Sequence, residues 1–244
     1  MVKSDSADAF KVQYNMLVIT GMWPKKNPNI IYRIRTTISW ICAIGLFGCL
    51  LTQFIYDIKD FMKLSVTLYI LVCYMGFILK LLVFINHREE FLNILNFLKN
   101  PIFISYPEDL DYYMTKSIKQ SVLVARTVQI ATAAGLVVYA VYPILDKKPL
   151  PFPFPYELGK YTLLMFCFQM VAEAFSAVNN LSLDLVFTSL MGIVAAQLDI
   201  LAEMIMRLKE DDSMVERSVI SNRVDESINK KLKDCVKHHL AIIK

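Results

Sequence analysis

Charged residues cut this chain into long apolar runs. Between Arg35 and Asp57 lie 21 uncharged residues, Thr36–Tyr56. At about 1.5 Å of helical rise each, they cover the roughly 30 Å hydrocarbon core of a bilayer. A second run, Leu64–Ile85, is interrupted only by Lys80 near its end. A third, Thr127–Leu145, lies between Arg126 and Asp146 and closes on Tyr139, Tyr142 and Pro143, residue types suited to a membrane–water boundary. The fourth is longer than a bilayer needs, because from Tyr161 to Met206 the only charges are Glu173, Asp184, Asp199 and Glu203. The pattern predicts an all-α transmembrane helical bundle with spans at about 36–56, 64–85, 127–145 and 161–183. The last is expected to continue as a helix to about 206, closing a membrane region of residues 1–206.

Shorter patterns organise the rest. Phe10–Pro24 is apolar but too short to cross, so it is expected to lie at or dip into the inner interface, with Trp23 and Pro24 ending it. Phe91, Ile94, Leu95 and Leu98 recur at i, i+3, i+4, i+7, the mark of an amphipathic helix, here expected to extend the second span. The outer loop Lys147–Glu157 has prolines at 149, 151, 153 and 155, which remove backbone donors and favour extended polyproline geometry. Its Phe152 and Phe154 predict a lid folded onto the bundle mouth. In residues 207–244, Val224, Ile228, Leu232, Cys235, Leu240 and Ile243 share one face of a helix, read as the start of a cytoplasmic helical anchor.

Composition agrees with a membrane protein and excludes a disordered one. Apolar residues make up 56% and charged ones 20%, with mean hydropathy +0.45, against about 45–50% and about 25% in soluble domains. Lys and Arg are unevenly placed. Nineteen lie in the segments before span one, between spans two and three, and after span four, with Arg126 at the edge of span three counted apart, whereas five lie in the two other loops. By the positive-inside rule both termini are expected in the cytoplasm. The net charge of +4 follows from this bias and does not imply a nucleic-acid partner. Met1–Ala9 is polar, so span one is expected to target the chain to the membrane.

Catalytic chemistry is not apparent. The chain has three histidines; His238 and His239 are adjacent and so diverge by about 100° on a helix. No nucleotide, hydrolase or zinc motif is present. No catalytic residue, metal or cofactor is expected. Charge inside hydrocarbon costs at least about 2.5–3.5 kcal/mol on insertion scales and normally faces protein or water. Lys80 and Arg126 lie near span ends and can snorkel. Glu173 lies about 18 Å into span four, too deep for that. It shares an i, i+3, i+4, i+7 stripe with Phe166, Gln169 and Met170, a candidate wall for a ligand vestibule.

Several features together resemble the N-terminal part of an insect odorant receptor, from the seven-helix family of inverted topology. They are Ile19-Thr20-Gly21-Met22-Trp23-Pro24 ahead of span one, the Pro/Phe-rich outer loop, and Gln169, Asp184 and Gln197 along helix four. The sharpest is Leu232-x2-Cys235-x2-His238-His239-x2-Ile242, which is similar to the family's cytoplasmic motif leading to helix five. The resemblance implies a volatile odorant as ligand, bound in the outer half between helices two, three, four and six. It also implies a cation channel assembled as a heterotetramer with the odorant receptor co-receptor, in the plasma membrane of olfactory sensory neurons. Ligand candidates on these terms are Val66, Tyr69 and Ile70 on span two and Thr132, Gly135 and Tyr139 on span three, beside the Phe166, Gln169, Met170 and Glu173 stripe. Because the sequence stops at Lys244, it is expected to be a fragment or truncated product with four of seven spans. A gustatory-type receptor of the same superfamily, or a four-span transporter or scaffold, are the alternative readings.

Overall fold

The structure, a computed structural model, describes residues 4–25, 27–146, 148–215 and 221–243, without the side chains of 209–215 and 221–227. Lys3, Lys26, Lys147 and the Val224 side chain of the sequence reading lie outside the described residues. The fold is all-α. Its helices are α1 (Lys11–Thr20), α2 (Ile30–Asp57), α3 (Phe61–Asn86), α4 (Arg88–Phe97), α5 (Asp111–Leu145), α6 (Thr162–Val215) and α7 (Ser221–Ile242), with short 3-10 turns between some of them. Among the described residues four are long and apolar enough to cross a membrane: α2, α3, α5 with the turn before it, and α6 with the turn before it, to Leu208. The amphipathic segment after α3 is a separate helix, because His87 leaves helical geometry at φ −96°, ψ 22°.

The chain divides into two compact units. One comprises Val12–Phe91 and Val124–Leu185. Within it α2 and α3 form an antiparallel hairpin whose helix starts are capped by Asn29 and Asp60. The Lys63 N–H bond holds the exposed Asp60 carboxyl below the usual carboxylate range. Helix α2 is two-faced. Ser39, Cys42, Ala43, Leu46, Leu50 and Gln53 are buried, while Ile34, Ile38, Ile41 and Ile44 form an exposed stripe. An exposed apolar stripe is at home only against lipid or another apolar partner. At Gly45, an added Cβ would fall 2.7 Å from Phe168 Cζ, so this glycine lets α2 close onto α6.

Helix α1 is stitched to the same unit by polar groups. It ends in a Schellman motif: Met22 N–H bonds the Leu17 carbonyl at 2.7 Å and Gly21 N–H bonds Val18 at 3.3 Å. Gly21 takes φ +81°, and a Cβ there would lie 2.6 Å from Thr36 N. The close approach is used at once. Thr36 donates to the Gly21 carbonyl and Ser39 to that of Thr20, both at 2.6 Å, and Thr20 donates to Asn179 Oδ1 at 2.6 Å. Gln13 Nε2 reaches the Leu185 carbonyl at 3.3 Å.

The other unit comprises Met1–Lys11, Leu92–Leu123 and Val186–Lys244. Asp111, at the start of α5, accepts from Ser4 Oγ and Tyr106 Oη, each at 2.8 Å. Ser117 donates to the Gly192 carbonyl at 2.8 Å, where Gly192 allows α5 and α6 to meet. Leu201, Leu208 and Cys235 form a small core with Met204, Ile228 and Ile242. The inward face of α7 therefore carries Ile228, Cys235, His238 and Ile242, whereas Leu232, Leu240 and Ile243 are exposed. His238 is buried and donates from Nε2 to Gln197 Oε1 at 2.8 Å, while Gln197 Nε2 donates to the Phe103 carbonyl at 3.1 Å.

Candidate functional site

A polar and aromatic constellation forms where α3, α5 and α6 bring side chains together inside the span-bearing unit. Tyr74 of α3 hydrogen-bonds Ser176 of α6, and the Tyr74 ring meets Phe77 edge-on at 5.5 Å. From α5, Tyr139 places its ring 5.2 Å from that of Phe152 in the proline-rich loop. The half-buried Glu173 carboxyl is within electrostatic range of both the Tyr74 and the Tyr139 phenols. Gln169 is fully buried one turn from Glu173 and bonds both the N–H and the carbonyl of Phe152, at 3.0 and 3.2 Å. Pro149, Pro151, Pro153 and Pro155 have no N–H, so the loop's backbone donors fall on the residues between them, and Gln169 takes the one at Phe152. The Tyr139 hydroxyl is buried and has no hydrogen-bond partner among the described residues. A phenol left so costs about 1–3 kcal/mol of desolvation, which an oxygen-bearing guest would relieve.

The ten candidates read from the sequence are distributed unevenly around this centre. Tyr139, Gln169 and Glu173 belong to it. Phe166 and Met170 are half-buried on the same helix. Thr132 is half-buried, donates to the Val128 carbonyl at 2.7 Å, and lines a separate apolar cavity of about 120 Å³ with Met16, Leu136, Val178 and Leu185. Gly135 is exposed, with open space where a Cβ would stand. Ile70 is half-buried, but Val66 and Tyr69 are 61% and 72% exposed and point away from the packed face of α3. That face carries Thr67, Tyr74, Phe77 and Leu81. Neither Tyr74 nor Ser176 stands out in the sequence, because a helix apolar on every side carries no periodic mark of its packed face.

A second polar contact lies further along the same two helices. Lys80 Nζ reaches Asp184 at 2.9 Å and Asn180 Oδ1 at 3.1 Å. Lys80 is thus paired within the protein instead of depending on snorkelling alone. No group of three or more His, Cys, Asp or Glu placed to hold a metal occurs among the described residues.

Comparison with known families is consistent with this arrangement. The family model described as 7tm odorant receptor matches residues 60–244. The chain belongs to the odorant receptor family. No curated protein matches it. The proline-rich loop, the Gln169, Asp184 and Gln197 series and the Leu232 to Ile242 motif lie within the matched residues, and Ile19–Pro24 precedes them. The structure gives the series in this odorant receptor a common logic, because each member ties a different segment to α6. Gln169 holds the loop, Asp184 holds Lys80, and Gln197 holds His238 and the Phe103 carbonyl. Membership places the chain in a family of membrane receptors, which is not an enzyme class.

Proposed function

We propose that this odorant receptor binds a small volatile organic molecule beside Tyr74, Tyr139 and Glu173, beneath the loop that Gln169 holds. Binding there biases a cation channel formed with the family's co-receptor in a heterotetramer. The protein resides in the plasma membrane of olfactory sensory neurons with its N-terminus in the cytoplasm. The observation that carries the reading is the Tyr139 phenol, buried without a hydrogen-bond partner among the described residues and set against an aromatic loop residue. Small apolar ligands bind by shape and dispersion, with few polar groups fixing orientation. One phenol bond contributes about 0.5–1.5 kcal/mol, so it separates an oxygenated volatile from its hydrocarbon isostere by up to roughly tenfold. The test is an odorant panel of matched alkanes, ethers, ketones and esters, read as currents from the receptor with its co-receptor. Tyr139→Phe should reduce sensitivity to oxygenated members and leave hydrocarbons alone.

A further inference from the structure

A cavity of about 300 Å³ opens in the span-bearing unit where the start of α2, the end of α3 and the 21–28 connection meet. Its lining joins two chemistries. Lys25, Arg33 and Arg88 supply three positive charges, and no Asp or Glu is among the described residues that line it. Trp23, Trp40 and Phe84 supply broad aromatic surface beside the aliphatic Ile85. Lys25 is steered by its position over the Tyr32 ring, 4.5 Å from the centroid, and the Tyr32 hydroxyl donates to the Trp23 carbonyl. Trp23 is clamped by edge contacts to Tyr14 at 5.1 Å and Phe91 at 5.5 Å. Among the described residues Arg88 has a single ion-pair approach, Glu89 at 3.7 Å, and Arg33 has none. The cavity is therefore preformed, cationic and apolar at once.

We propose that this cavity is a binding site for one anionic glycerophospholipid. The phosphate and acidic headgroup lie among Lys25, Arg33 and Arg88, and the first part of an acyl chain lies along Trp40, Phe84 and Ile85. Tryptophan and cationic side chains together mark the level of the lipid headgroups, and basic pockets between transmembrane helices take acidic headgroups. The apolar wall favours a lipid over a free phosphate, which would leave the aromatic surface in water. With the orientation proposed above, the site faces the leaflet where anionic lipids concentrate.

The chain supplies its own reporter, because its two tryptophans, Trp23 and Trp40, both line the cavity. The chain is reconstituted in phosphatidylcholine vesicles containing 10 mol % of brominated phosphatidylserine or, separately, brominated phosphatidylcholine, a composition of roughly one anionic lipid in ten. Each basic residue near an acidic headgroup is worth roughly a fivefold enrichment, so tryptophan quenching by the brominated serine lipid should clearly exceed that by the choline lipid. Lys25→Gln/Arg33→Gln/Arg88→Gln should erase the excess, while Lys59→Gln/Lys63→Gln at the opposite end of the α2–α3 hairpin should keep it. Replacing chloride by phosphate at equal ionic strength should also keep it. Equal quenching by both lipids in the unsubstituted chain overturns the proposal without recourse to any variant. So does an excess that survives the triple substitution, or one that phosphate removes.

Discussion

Gln169 grips Phe152 across one residue of backbone, accepting its N–H at 3.0 Å and donating to its carbonyl at 3.2 Å. The pairing mimics a sheet ladder and fastens a proline-rich segment that can make few such bonds itself. Each bond contributes about 0.5–1.5 kcal/mol net. Gln169→Leu should therefore release the loop, and the Phe152 amide should exchange with deuterium about tenfold faster or more. Unchanged protection at Phe152 would mean that the grip is not formed.

Gly21 bears a different kind of constraint. A left-handed residue other than glycine costs about 1–2 kcal/mol, and here the added Cβ would also collide with Thr36 N and Arg35 Cβ. Gly21→Ala should lower the melting temperature in detergent by more than an alanine placed at the open Gly48, where no atom lies within 4 Å of the added carbon. Equal melting temperatures would contradict the close α1–α2 approach.

The Lys80–Asp184 pair should behave as a unit. Its side chains are 44% and 50% exposed, so in water the pair would be worth at most about 1 kcal/mol. Beside lipid, one unpartnered charge costs about 2.5–3.5 kcal/mol. Lys80→Met and Asp184→Leu should each reduce the folded yield in membranes, and the double substitution should recover most of it. Additive losses would show that the two groups do not interact.

His238 gives the unit that holds α7 a pH dependence. Burial pushes the imidazole below its ordinary value of 6.5, and its neutral form donates to Gln197. Between 6.5 and the lower folded-state value, the unfolded chain binds the extra proton and the folded chain does not, so stability falls as pH falls through that window. Lys231, Lys237, Arg207 and Asp234 line the same roughly 500 Å³ cavity as His238, so its surroundings carry more positive than negative charge. Thermal denaturation between pH 7.5 and 5 should show a decline that His238→Gln flattens. Parallel slopes for the two proteins would remove His238 as the cause.

The spans were legible because uncharged runs of about twenty residues have few other uses. Their faces were not. Val66 and Tyr69 looked as eligible as Thr67 and Tyr74, since a helix apolar on all sides carries no periodic mark of which side meets protein. The structure turns Val66 and Tyr69 outward and buries Thr67 and Tyr74. Helix α5 begins at Asp111, well before its apolar run at Thr127, because the polar first turns are anchored by Ser4 and Tyr106. In α7, a buried histidine is readable only through Gln197, 41 positions away. Gln169 and Glu173 could be read from the sequence because a buried polar residue within an apolar run demands a partner. The identity of that partner depends on tertiary structure.

The proposed function requires a ligand to enter beside Tyr139. It is tested by the odorant-evoked current of the receptor expressed with its co-receptor, compared between Tyr139 and Tyr139→Phe on volatiles matched in size. Loss of one phenol bond should raise the half-maximal concentration by up to about tenfold for oxygenated volatiles and leave hydrocarbons where they were. An unchanged order and sensitivity across the panel, with receptor present at the cell surface, would contradict ligand entry beside Tyr139.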